Sequence, residues 1–120
     1  MNCIYIQYSR TAMQHYFILN AQHEPVEVDL GTFCAFDKSV ADTTVAENTR
    51  VWTVFLGMTV DHDPPAQPYF VHYVYEPGWQ YRAVDTYGYQ EAVARHGRIV
   101  EWLTKRAERR RQRAAAVSAS

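Results

Sequence analysis

The sequence predicts an α+β fold: a single domain with an antiparallel sheet, one short helix, and a long C-terminal helix packed on one face. Three observations carry this. Arg50 to Val60 (RVWTVFLGMTV) has no charge after Arg50, is rich in β-branched and aromatic residues, and is bounded by Glu47-Asn48-Thr49 before it and Asp61-His62-Asp63-Pro64-Pro65 after it. Both faces of this stretch are largely apolar, with Val51, Thr53, Phe55 and Gly57 on one side and Trp52, Val54, Leu56 and Met58 on the other. Such a strand belongs in the interior of a sheet, with a helix covering at least one face. Near the C-terminus, Tyr89, Val93, His96, Val100, Leu103 and Ala107 recur at spacings of three and four, with Ala92 and Ile99 beside them, which makes one helical face apolar.

The remaining elements follow in order. Asn2 to Tyr8 alternates as a first strand and Ser9-Arg10-Thr11 turns it. A second strand spans Met13 to Leu19, and Asn20-Ala21-Gln22-His23 leads into a short extended piece from Pro25 to Asp29. Leu30 to Lys38 places Phe33 and Phe36 three apart with Thr32 as a cap, so it reads as a short helix. Val40 to Ala46 forms a hairpin with the central strand through the turn at Glu47 to Arg50. Beyond the prolines, Tyr69 to Tyr75 is a strand antiparallel to the central one, Pro77-Gly78 ends it, and Trp79 to Ala83 is an edge strand or a loop. The helix spans about Tyr87 to Arg113, with Asp85 and Thr86 as candidate caps. Residues 1–107 form the domain; the basic tail, 108–120, lies past the apolar stripe and should project or fray.

Composition bounds the rest. With 120 residues, 48% of them hydrophobic, and a net charge of -1, the chain is a globular single domain. The near-zero charge hides an asymmetry: residues 1–94 hold 4 basic against 11 acidic side chains, and the last 26 hold 8 against 2. The N-terminus has no basic-then-apolar leader pattern and no apolar run approaches a membrane span, so a soluble protein with reduced Cys3 and Cys34 is expected.

Arg50-Val51 and Thr53-Val54-Phe55-Leu56-Gly57, followed by Pro64-Pro65 with Phe70 and Val74, then Glu91-Ala92 and His96, carry a resemblance. The pattern resembles a family of small uncharacterised tailed-phage proteins with a VSTVFLG(L/I)(D/N)H segment, then PP-L-FETMVF, then RY-TWEEA-GH. It covers roughly Tyr16 to Leu103, leaving the first strand and the tail outside. This chain departs from it at Trp52, at the inserted Met58-Thr59-Val60, at Gly88-Tyr89, and at Val71, which stands at the family's Glu position. The resemblance brings no established activity. It implies a small accessory protein in the cytoplasm of a bacterial host cell, of a kind that frequently inhibits a host process such as antiviral defence.

Two function classes compete. The first is a non-enzymatic binder, engaging a host protein, a nucleoprotein or a nucleotide-like ligand through Tyr69, Tyr73, Tyr75, Trp79, Tyr81, His62 and His96. Tyr69, Tyr73 and Tyr75 share one strand face with Val71, and stacking aromatics there suit nucleobases or a flat protein partner, unless the C-terminal helix covers them. Arg106, Arg109, Arg110 and Arg111 offer nucleic-acid or phosphate contacts, the bland alternative being a solvated helix end. The second class is a small metal-dependent hydrolase built from Asp61-His62-Asp63, His72 and His96. Neighbours on an extended segment point in opposite directions, and no HExxH, HxH, CxxC, GxSxG or glycine-rich phosphate loop is present, so neither catalytic residues nor metal nor cofactor are assigned. His96, alone on an apolar stripe, reads first as a core residue bonded to a backbone or tyrosine partner. An oligomer is compatible with the composition; a membrane partner is not expected.

Overall fold

The computed structural model describes residues 13–46, 48–61 and 66–119, so the strand expected at Asn2 to Tyr8 and the residues His62 to Pro65 lie outside it. The fold is α+β, with seven strands, β1 (Gln14–Leu19), β2 (Pro25–Val28), β3 (Ser39–Ala46), β4 (Thr49–Leu56), β5 (Met58–Val60), β6 (Tyr69–Glu76) and β7 (Trp79–Arg82), and two helices, α1 (Leu30–Ala35) and α2 (Tyr89–Ala119). The strands make two antiparallel sheets, ordered β2-β1-β5 and β3-β4-β6-β7.

The expected central strand is therefore two strands in two sheets, divided at Gly57. β4 lies between β3 and β6, as its apolar faces require, whereas β5 pairs with β1. A side chain cannot occupy the dividing position. A Cβ on Gly57 would lie 2.3 Å from the carbonyl oxygen of Phe17 and 2.8 Å from the Phe55 ring. The Phe17 amide donates to the Gly57 carbonyl at 2.7 Å, so the backbones of the two sheets meet where glycine leaves room.

Helix α2 covers one face of the four-stranded sheet. Registers Val51↔Val74, Thr53↔His72 and Phe55↔Phe70 put these six residues on that face, all buried. Ala92, His96 and Leu103 descend onto them, Leu103 against Val51 and Val74 and Ala92 against Phe55 and Phe70, with half-buried Ile99 and Val100 completing the upper cluster. Val93, expected in the stripe, is 42% exposed because Ala92 and His96 hold the inward arc. Past Ala107 the helix projects into solvent without unwinding, its residues exposed through Ala119.

Local chemistry differs from expectation at the caps. Asp29, not Thr32, caps α1, its Oδ1 accepting from the Thr32 amide at 2.7 Å, and the helix stops at Ala35. Asp85 and Thr86 do not cap α2, which begins at Tyr89: Asp85 pairs with Arg82, and the Thr86 hydroxyl turns into the core. Trp79–Arg82 resolves as an edge strand after the Pro77-Gly78 turn, where Gly78 takes φ +86. Cys34 is disulfide-bonded and not the reduced thiol expected; Cys3 lies outside the described residues. No described helix is long and apolar enough to cross a membrane.

Candidate functional site

Strand parity divides the predicted site residues between two surfaces. Tyr69, Tyr73 and Tyr75 stand on the face of β6 turned away from α2, beside Trp52 on β4 through the register Trp52↔Tyr73. Trp79 and Tyr81, grouped with them on composition, belong to the helix side, because the register Val74↔Tyr81 sends Tyr81 toward Leu103. Trp79 packs on Tyr81 with ring centroids 4.6 Å apart and planes tilted by 32° at the sheet edge, and is 58% exposed. His62 falls outside the described residues.

The face opposite α2 is an aromatic platform. Trp52 and Tyr73 lie 6.1 Å apart and Tyr73 and Tyr75 6.4 Å apart, all tilted, while Tyr69 packs on Tyr87 at 5.9 Å. Arg50 spans Trp52 and Tyr75 at 5.2 and 5.6 Å from their rings. Its orientation is set by a bidentate pair with Asp42, both contacts 2.6 Å, which lowers the Asp42 pKa and raises that of Arg50. The Trp52 indole N–H donates to Ser39 Oγ at 3.0 Å. At the other end Arg82 is held by Asp85 over the Tyr69 ring. Val71, at the Glu position of the phage pattern, is on the same strand face and is fully buried. Among the described residues, no helix or strand packs across this face; α2 contacts β3, β4 and β6 from the other side.

Beneath α2 the two histidines do converge, in a continuous chain of hydrogen bonds. Thr43 Oγ1 meets His96 Nε2 at 2.9 Å, His96 Nδ1 meets Thr53 Oγ1 at 2.8 Å, Thr53 Oγ1 meets His72 Nδ1 at 2.7 Å, and His72 Nε2 meets Thr86 Oγ1 at 2.9 Å. Neutral imidazole offers one donor and one acceptor, and a hydroxyl supplies both, so every link is satisfied with the protons running in either sense. Burial pushes the His72 pKa down to about 4, helped by its neighbours His96 and Arg95, and lowers that of His96. Both rings are therefore neutral, and Thr53, His72 and Thr86 are fully buried.

The third histidine centre was missed by sequence reasoning. His15 on β1 bridges Glu27 on β2 through Nδ1 at 2.9 Å and Asp61 at the end of β5 through Nε2, which raises its pKa. The signal lay in the alternation, since β1 and β5 bring positions 15 and 61 to neighbouring strand ends. This arrangement separates the proposed hydrolase group. Asp61 is committed to His15 and to the Met13 amide on the three-stranded sheet, whereas His72 and His96 face threonines under α2. The carboxylates also sit on opposite nitrogens of His15, and among the described residues no three His, Cys, Asp or Glu side chains come together as metal ligands.

The four tail arginines also part company. Arg106 is half-buried, pairs with Glu76 and lies over Trp102 at 4.8 Å. Arg110 and Arg111 overhang a cleft between α2 and the ends of the sheet, and Arg109 points to solvent. No protein-family model, curated protein or solved structure matches this chain, so the likeness to phage proteins rests on the motif residues alone.

Proposed function

We propose that this chain is a non-enzymatic binding protein of the tailed-phage accessory type, engaging a host protein or nucleoprotein through the aromatic face of its four-stranded sheet. The observation that supports this is the position of Trp52, Tyr69, Tyr73 and Tyr75: they stand on the side of the sheet opposite the covering helix. Tyrosine and tryptophan supply large, stiff contact areas with a polar edge, the composition typical of interface hot spots. Arg50 and Arg82, each oriented by an aspartate, add directional donors at two edges of the platform. The setting, interference with a host process such as antiviral defence, comes from the resemblance.

The histidine chain supports the same reading. Its imidazoles are neutral, buried and fully paired, which fits a polar core element that fixes the seat of α2. The test is a double substitution, Tyr73→Ser with Tyr75→Ser, in protein used as bait against bacterial lysate. The variant should keep the circular dichroism and melting temperature of the parent and lose its specific partner. Retention of the partner by the folded variant, or turnover of phosphoesters by the purified parent, overturns the proposal.

A further inference from the structure

Where α2 leaves the sheet, the helical face that docks on it changes character. Leu103, Arg106, Ala107, Arg110 and Arg111 share that arc at spacings of three and four, so an apolar stripe becomes a basic one within two turns. Opposite it lie Ala46 at the end of β3, Thr49 at the start of β4 and Pro77 of the β6–β7 turn, and the space between is a cleft of about 600 Å³. Its two ends differ in chemistry. At the outer rim Arg110 and Arg111 make no ion pair with any described carboxylate, whereas Arg106 is neutralised by Glu76. At the inner end the Glu76 side chain is only 7% exposed; Arg106 takes Oε1, and Oε2 is buried without a hydrogen-bond partner. Burial, the charge of this carboxylate and a weak side-chain hydrogen-bond contact to it raise the Tyr81 phenol pKa, while Oε2 itself has no partner in full hydrogen-bond geometry. Val45, Leu103 and Ala107 line the space between with apolar surface.

We propose that this cleft binds a nucleoside monophosphate. A buried acceptor left unpaired costs free energy that a ligand N–H recovers, so the inner end selects a donor. Two guanidiniums without an ion pair among the described residues select a phosphate-type anion at the rim. The apolar walls between them suit a planar ring, and the volume lies in the range of small-molecule sites. A nucleobase with its N–H edge toward Glu76 and its phosphate toward Arg110 and Arg111 satisfies all three. A nucleic-acid strand does not, because the Glu76 carboxylate closes the inner end against a second phosphate. The site lies on the helix side of the sheet, away from the aromatic platform, and stands independently of the function proposed there.

Isothermal titration of the full chain tests it with the four ribonucleoside 5′-monophosphates, ribose 5-phosphate, inorganic phosphate and a short single-stranded oligonucleotide. At least one monophosphate should bind at least about tenfold tighter than ribose 5-phosphate, the increment of one hydrogen bond to a charged group. Glu76→Gln, which also frees Arg106, should abolish the preference, so that the variant binds the monophosphate no tighter than it binds ribose 5-phosphate. Arg110→Ala with Arg111→Ala, on exposed helix, should weaken both, which decides the matter should Glu76→Gln fail to fold. The Tyr73→Ser, Tyr75→Ser variant should bind the nucleotide like the parent. Monophosphates binding no tighter than inorganic phosphate, affinity unmoved by the arginine pair, or preference for the oligonucleotide would each overturn the proposal.

Discussion

Replacing Thr53 with valine removes the hub of the histidine chain and leaves its volume in place. The Thr53 hydroxyl lies 2.7 Å from His72 Nδ1 and 2.8 Å from His96 Nδ1, and is the one group linking the two imidazoles. Valine nearly conserves the volume, so no cavity adds to the cost. Two buried ring nitrogens lose their partners instead, at about 1 to 3 kcal/mol each, for a total of about 2 to 5 kcal/mol after some relaxation. Thr43→Val is the internal control: Thr43 ends the chain, is only half-buried, and bonds one nitrogen, so its loss should cost about 1 kcal/mol. Urea unfolding followed by tryptophan fluorescence measures both, with an unchanged m-value as the condition for comparison. A Thr53→Val loss below about 1 kcal/mol, or one no larger than that of Thr43→Val, would refute the view that the chain is a fully paired core network.

Other outcomes follow from the same structure. Burial pushes the His72 pKa down to about 4 in the folded protein against 6.5 when free, so between these values only the unfolded chain takes up its proton, and the lowered pKa of His96 acts in the same direction. Stability should thus be intact above pH 6.5 and fall as pH drops toward 4, by about 3 kcal/mol from His72; a melting temperature unchanged across that window would contradict it. His15 runs the other way: its raised pKa gives stability present below 6.5 and lost as pH rises through the folded value, so His15→Gln should cost more at acidic than at alkaline pH. Gly57→Ala sets a Cβ against the Phe17 carbonyl oxygen and should cost more than about 2 kcal/mol in urea unfolding, with a near-neutral result disproving the close approach. Truncation after Ala107 removes only exposed helix and should shift the melting temperature by less than about 3 °C while abolishing nucleotide binding in the cleft.

Alternation carried most of what was legible in the sequence. The inward set Val51, Thr53, Phe55, the apolar run Tyr69 to Tyr75 and the helical stripe through His96 and Leu103 suffice to specify an interior strand, its neighbour and the cover. The break at Gly57 was less visible, because strand period continues across it and only the glycine marks the approach of a second backbone. The histidine chain was half-legible. Thr53, His72 and His96 are polar residues at core positions, which must find partners, but their pairing depends on the register Thr53↔His72, fixed by tertiary structure. The grouping of Trp79 and Tyr81 with Tyr69, Tyr73 and Tyr75 failed for a related reason: composition does not record that a strand pairs back after a turn with its side chains matched to Val74. Glu76 gave no local sign of its partner Arg106, which lies 30 positions away.

The passage of one uninterrupted segment through Gly57 bears on how the molecule opens. Because β4 and β5 are covalently continuous and tied by the Phe17–Gly57 hydrogen bond, fraying of the small sheet pulls on the strand at the centre of the large one. Native-state hydrogen exchange should then place the β1–β5 amides in the same cooperative unit as β4 and β6, exchanging with a shared free energy, while the amides of α2 beyond Ala107 exchange through independent local opening. The glycine that relieves a steric conflict is in this sense also the joint through which two sheets unfold as one.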